Sequence, residues 1–277
     1  CIICAVESCV PLALNAGADK IVSHKNNMGI GAAFMTGIRN AIRMKADVVV
    51  KIDADLQFDP KLIPELTVPI VNNQLDVVVG SRFLNKKVKG ISKSKYIGNK
   101  IFTKIISTIT GQKFTDTQSG FIAYSKEAIS NITVISEFTF VHEALLDLKF
   151  KGFRIGEISV PVKYFPNRKS RVVKSLSSYA YRATSIIIRT LVYHRPIFTF
   201  GILGSILTVG GILGKIISVT NILGGKISSD LSTGFIILGI VSFMLGLFAN
   251  VVFKRQAFTE KDLRNYVKEI QDEKDSK

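Results

Sequence analysis

Apolar residues are arranged in two different ways along this chain. Through residues 1 to about 165 they come in short, β-branched runs separated by stretches with helical spacing; beyond Pro196 they run almost unbroken. The short runs Ile2–Val6, Lys20–Ser23, Asp47–Ile52, Leu75–Gly80, Gly120–Tyr124 and Arg154–Val160 have the length and residue types of strands. Between them the spacing predicts helices near 31–45, 60–73, 94–110 and 139–151. Such alternation predicts an α/β architecture with a doubly wound, mostly parallel sheet, whose ligands bind beyond the carboxyl ends of the strands.

The C-terminal third follows a different rule. Pro196 to Gly214 is 19 residues without a charge, Ile216 to Gly225 continues past a lone Lys215, and Leu231 to Phe253 adds 23 more. Each stretch is long enough to cross a hydrocarbon layer of about 30 Å as a helix. The turn-like Gly224-Gly225-Lys226-Ile227-Ser228-Ser229-Asp230 predicts a two-helix transmembrane hairpin. Arg189, His194, Arg195, Lys254 and Arg255 flank its outer ends, which places the N-terminal domain and the tail on the cytoplasmic side of a multi-pass membrane protein. Lys215 is expected to anchor by snorkelling. The organisation is then a domain over 1–175, a juxtamembrane interfacial helix over 176–195, two spans over 196–253 and a charged cytoplasmic tail over 254–277. In the 94–110 helix, Ile97, Ile101, Phe102, Ile105, Ile106 and Ile109 form one stripe with Lys93, Lys95, Lys100 and Lys104 on other faces. Such a helix can pack on the sheet or lie in a bilayer interface, and the pattern leaves both open.

Composition narrows the partners. The 277 residues carry 37 Lys and Arg against 21 Asp and Glu, a formal charge of +16, which favours nucleic acid, acidic lipid or phosphorylated substrates. No stacking motif or helix-turn-helix is evident, so nucleic acid is not the expected partner. Cys1, Cys4 and Cys9 lack the paired spacing of a zinc site and read as small hydrophobes in a reducing compartment. The chain opens on Cys1 inside an apolar run, and an earlier strand is expected before it.

The sharpest chemical signal is Val48-Val49-Val50-Lys51-Ile52-Asp53-Ala54-Asp55-Leu56-Gln57, an apolar strand ending in two carboxylates at i and i+2. In an extended segment these share a face and can address one hard cation, Mg²⁺ or Mn²⁺, shared with a diphosphate. This segment resembles the Asp-x-Asp signature of glycosyltransferase family 2, and most closely its dolichyl-phosphate and polyprenyl-phosphate sugar synthases. Asn27-Met28-Gly29-Ile30-Gly31-Ala32-Ala33, Gly80-Ser81-Arg82-Phe83, Thr115-Asp116-Thr117-Gln118-Ser119-Gly120-Phe121 and the helix-then-strand unit from Phe140 to Val160, ending in Glu157-Ile158-Ser159-Val160-Pro161-Val162, resemble further family segments in the same order. The resemblance spans roughly residues 10 to 175 and extends to the membrane hairpin.

It implies a GT-A-like, Rossmann-related fold in which Asp53, Asp55 and Gln57 organise the metal and Asp53, Gln57, Ser81, Arg82 and Ser119 bind the donor. Arg82 reads equally as a salt-bridge partner, and Asp116 as a sugar contact or base or as a turn cap. Asp55, Asp116 and Arg168 form the implied catalytic set. Arg168, Arg171 and Lys174 match loosely the element that binds the acceptor phosphate, and the same basic cluster fits a generic membrane-facing patch. Gly29 and Gly31 read as backbone permissiveness at a turn rather than a phosphate cradle. Two positions depart from the family: Ile122 stands where an Arg usually follows Ser-Gly-Phe, and Glu7 is at best a substitute for the early Asp-Asp-x-Ser segment. The expected reaction is inverting transfer of a hexose-type sugar from a nucleotide diphosphate to polyprenyl (dolichyl) phosphate. Transfer to a hydroxyl acceptor, with Asp116 or Glu143 as base, and a catalytically degenerate membrane scaffold are the alternatives.

Overall fold

The computed structural model describes residues 2–4, 10–85, 88, 90–134, 140–164, 176–220 and 228–275, and these divide into two compact units, 1–187 and 188–277. In the first unit the strands are β1 (Ile2–Cys4), β2 (Ile21–Ser23), β3 (Val48–Ile52), β4 (Val77–Ser81), β5 (Phe121–Ser125) and β6 (Ile155–Ser159). Its helices are α1 (Val10–Asn15), α2 (Gly29–Arg43), α3 (Ile63–Val71), α4 (Lys93–Thr110), α5 (Lys126–Asn131) and α6 (Phe140–Phe150); α7 (Leu176–His194) leads into the second unit.

β1 and β2 pair in parallel as a separate ribbon, while the main sheet has the order β3-β5-β4-β6. Here the expectation of a mostly parallel sheet needs correction: β5 runs antiparallel to both β3 and β4, and only β4 and β6 are parallel. The sheet is mixed because β5 is reached from α4 through the 111–120 loop, which enters it from the edge where β3 and β4 end.

Alternation of side chains separates two buried layers. On one face Val78, Phe121 and Ala123 pack with Phe58, Leu66, Ile70 and Val160, so that α3 covers the sheet. On the other, Tyr124 meets Phe34 of α2 with ring centroids 5.8 Å apart, and Phe34 stacks on Phe140 of α6 at 4.2 Å. α2 reaches this layer because Phe34, Ile38 and Ala41 recur at helical spacing. α4 divides its apolar residues. Phe102 and Ile106 are buried with Asn99 and Thr103, whereas Ile97 and Ile101 are 55% and 53% exposed on the opposite side.

In the second unit α8 (Pro196–Thr220) and α9 (Ser229–Asp275) pack antiparallel, and Pro196–Thr220 and Ser229–Gln256 are long and apolar enough to cross a membrane. Glycines set the spacing: a Cβ added at Gly204 would come within 2.8 Å of the Gly239 carbonyl oxygen, and one at Gly211 within 2.8 Å of Ile236 N. Ser242 Oγ donates to the Phe200 carbonyl oxygen at 3.0 Å. Lys215 Nζ donates to Ser229 Oγ and Thr233 Oγ1 at 2.5 and 3.1 Å, so local hydroxyls receive its charge near the helix ends. α9 continues as helix through the segment expected to be a tail.

Candidate active site

Because β5 is antiparallel, the loop that precedes it lies beside the residues that follow β3 and β4. The register pairs Ile52 with Phe121, and Asp53 N donates to the Gly120 carbonyl oxygen at 3.1 Å. The Asp53 carboxylate lies directly over the Gly120 Cα, where any Cβ would collide with it. The glycine of Ser-Gly-Phe is therefore required by close approach of Asp53. Asp53 Oδ1 is held by Lys51 Nζ at 2.6 Å.

Asp55 stands in the turn beyond the strand rather than in an extended segment, so its placement does not come from strand alternation. Asp55 Oδ1 accepts from Gln57 N at 3.0 Å, and Leu56 takes φ +61° to complete the turn. Phe58 then buries against Phe121, with ring centroids 5.5 Å apart, which pins the turn to the sheet. Asp59 Oδ1 accepts from Lys61 N at 3.0 Å at the start of the 3₁₀ turn Pro60–Leu62 that opens α3.

β4 ends in Ser81, followed by Arg82, and the charged core of the site is here. Arg82 binds Asp116 through three bonds, Nε to Oδ2 at 2.6 Å, Nη2 to Oδ1 at 2.8 Å and the backbone N to Oδ2 at 3.2 Å. Arg82 also donates through Nη2 to the Gln118 carbonyl oxygen at 3.1 Å and through Nη1 to Tyr164 Oη at 3.3 Å. Asp116 has no exposed side-chain surface and takes a further bond from Asn99 Nδ2 at 3.0 Å. Burial opposes the charge on Arg82, but Asp116 and Tyr164 outweigh it and hold the guanidinium above its ordinary pKa. Glu157 of β6 clips the same loop: its carboxylate accepts from Thr115 N at 2.8 Å, Asp116 N at 2.9 Å and Thr115 Oγ1 at 3.0 Å. Burial pushes Glu157 up in pKa, while these bonds pull it down.

Whether such residues suit a divalent ion depends on the donor set. Among the described residues no three acidic, histidine or cysteine side chains gather into a cage. Asp53 and Asp55, two positions apart, carry the oxygen chemistry of an ion such as Mg²⁺ or Mn²⁺ that keeps waters and shares phosphate oxygens.

The profile described as "Glycosyl transferase family 2" matches residues 16–133, which include α2, β3, the Asp53–Asp55 turn, β4 and the Asp116 loop. Over these residues the chain is similar to glycosyl transferase family 2. A UDP-N-acetylglucosamine–dolichyl-phosphate N-acetylglucosaminyltransferase of Methanococcus voltae is 35% identical over 150 residues, covering 52% of this chain and 59% of the relative. The match thus spans less than two thirds of that protein's length. Glycosyltransferase AglJ of Haloferax volcanii is 24% identical over 251 residues, 87% of this chain and 79% of AglJ. Glucosyl-3-phosphoglycerate synthase from Mycobacterium tuberculosis, solved with Mn²⁺, UDP and phosphoglyceric acid, superposes with a TM-score of 0.51 at 16% identity, over 69% of this chain and 64% of that one. The first unit therefore shares the fold of that synthase.

The expected site residues fall into three groups. Asp53, Asp55, Gln57, Arg82 and Asp116 all lie at the edge where β3 and β4 end and β5 begins. Ser81 and Ser119 lie there too, but both are fully buried in structural bonds. Ser81 Oγ shares a 2.6 Å hydrogen bond with Thr115 Oγ1, and Ser119 Oγ donates to the Gly80 carbonyl oxygen at 2.6 Å. Arg168, Arg171, Lys174 and Glu7 lie outside the described residues. Gly29 has φ +82°, and its N–H binds Asn27 Oδ1 at 3.0 Å at the start of α2, as a turn glycine would; Gly31 is helical and buried. Sequence reasoning gave no role to Lys51, Asn99, Thr115 or Tyr164. Lys51 left a signal, being the one charge inside an otherwise apolar β3.

Proposed function

We propose that this chain is a membrane-bound glycosyltransferase that moves a sugar from a UDP-sugar, UDP-N-acetylglucosamine first among the candidates, to a polyprenyl (dolichyl) phosphate, with inversion. The similarity to family 2, the Methanococcus relative and the two apolar C-terminal helices support the reaction class and its lipid setting. The observation that carries the choice of acceptor is the state of Asp116. A hydroxyl acceptor needs a base; Asp116 is buried under Arg82 with both oxygens engaged, and Glu143, the other candidate, is buried on α6. A phosphate monoester has its second pKa at about 6, so it arrives already ionised and needs no base.

Asp53 and Asp55 would hold Mg²⁺ or Mn²⁺, which supplies, when bound, positive charge beside the leaving diphosphate. Gln57, whose carbonyl oxygen accepts from Lys163 N at 3.0 Å, ties the end of that turn to the segment after β6. The Arg82–Asp116 pair fixes the floor of the site through Gln118 and Tyr164. The acceptor phosphate meets the basic segment containing Arg168, Arg171 and Lys174, and attacks the anomeric carbon from the face opposite the departing UDP. Arg189, Arg195, Lys254 and Arg255 favour a cytoplasmic domain. The exposed Ile97, Ile101 and Ile105, with Lys93, Lys100 and Lys104 exposed on the same helix, suit shallow contact with an anionic lipid surface.

The reading is tested by Asp55→Asn in the full chain, measuring metal-dependent turnover of UDP-N-acetylglucosamine with dolichyl phosphate. Loss beyond the roughly 10- to 100-fold typical of an outer-shell substitution is expected. An unchanged rate would remove the site from consideration.

A further inference from the structure

Lys51 occupies an unusual place. It lies in β3 directly opposite Ile122 of β5, and residues opposed across an antiparallel pair share a face of the sheet. That face is the one covered by Phe34 and Phe140, and Lys51 Nζ sits 5.4 Å from the Phe140 ring centroid. Its side chain is only 15% exposed. An aliphatic residue would fill this position without desolvating an ammonium group. The charge is directed at one partner, Asp53 Oδ1, at 2.6 Å. Ile122, its register partner, stands where the family resemblance leads one to expect an arginine.

We propose that Lys51 is a resident cation of the donor site: a positioning residue that holds Asp53 and keeps divalent metal binding weak until the nucleotide arrives. The inference rests on the assignment of Asp53 and Asp55 made above. Lys51 takes one Asp53 oxygen, while the Asp53 carboxylate lies over Gly120. The Lys51 ammonium offsets the charge of Asp53 and so lowers the attraction of this carboxylate for a divalent ion alone. A nucleotide diphosphate brings the missing negative charge and further oxygens, so metal and donor bind cooperatively.

The test is Mn²⁺ binding by electron paramagnetic resonance to the full chain in detergent, with and without UDP. Lys51→Met keeps an unbranched apolar stem, one atom shorter, and removes the charge. In the absence of UDP it should bind Mn²⁺ roughly tenfold more tightly, the order expected when one unit charge about 5 Å from a divalent ion is removed in a water-like dielectric. UDP should then add less to Mn²⁺ affinity than in the parent. Ile122→Arg introduced into Lys51→Met should return Mn²⁺ affinity towards the parent value. Local misfolding would weaken binding rather than strengthen it. Unchanged or weaker Mn²⁺ binding by Lys51→Met overturns the inference. Asp55→Asn, titrated alongside, separates the two ideas: if it leaves Mn²⁺ binding intact, the site assignment itself fails; if it abolishes binding while Lys51→Met behaves like the parent, only the role of Lys51 fails.

Discussion

His142 on α6 is buried beside Phe102, with neither ring nitrogen hydrogen-bonded. Burial pushes its pKa down to about 4, against a smaller upward pull from Asp116. The unfolded chain protonates this ring near pH 6.5, whereas the folded chain resists protonation until about pH 4. Its contribution to stability is therefore full above pH 6.5 and is lost as pH falls towards 4, by about 3 kcal/mol in all. His142→Phe should flatten that slope and raise the thermal midpoint at pH 7, since two unsatisfied buried atoms disappear. Thermal unfolding at pH 7 and pH 5 checks both, and a variant as acid-sensitive as the parent would contradict the assignment. At this scale the sequence displayed the acids well and their partners poorly. Asp53 and Asp55 stand out at a strand end, but nothing in their spacing says that Lys51 binds one of them. Asp116 and Arg82 were each visible; their pairing depends on a contact 34 positions apart in the chain.

Among the elements, strands were the most legible, because β-branched runs such as Val48-Val49-Val50 and Val77-Val78-Val79 have few alternatives. Strand direction was not legible. The hydrophobic pattern of β5 is the same whichever way it runs, and only its connection from α4 makes it antiparallel. Helices α1 and α5, six residues each, are too short to show periodicity; α5 exists because Ser125 Oγ accepts from Ala128 N at 3.1 Å at its start. In α4 the isoleucine stripe is wider than the buried face, which the sequence could not divide. The division predicts unequal substitutions. Ile106→Ala should cost about 2–4 kcal/mol and Ile101→Ala no more than about 0.5, measured by thermal or urea unfolding. Equal losses would mean that α4 is seated differently.

For the whole molecule, two long apolar helices were legible from length and lack of charge, and their packing was not. α8 and α9 approach through Gly204, Gly211 and Gly239, residues that in sequence look like any glycine in an apolar run. Gly239→Ile should force the helices apart, because a Cβ there already meets Thr208 N at 2.9 Å. Cysteines placed at Phe200 and Ser242, adjacent across the pair, should cross-link readily in the parent and poorly in that variant. Equal yields would show that the glycines do not set the spacing.

Buried under Arg82, Asp116 offers no base, and the reaction proposed for this chain therefore takes an acceptor that is already an anion. The direct measurement is transfer of labelled N-acetylglucosamine from its UDP donor, with Mn²⁺ present, to dolichyl phosphate and to dolichol in parallel. The account predicts labelled product with the phosphorylated lipid alone, lost on chelation of the metal. Transfer to dolichol at a comparable rate, or transfer to either lipid in excess chelator, would contradict it.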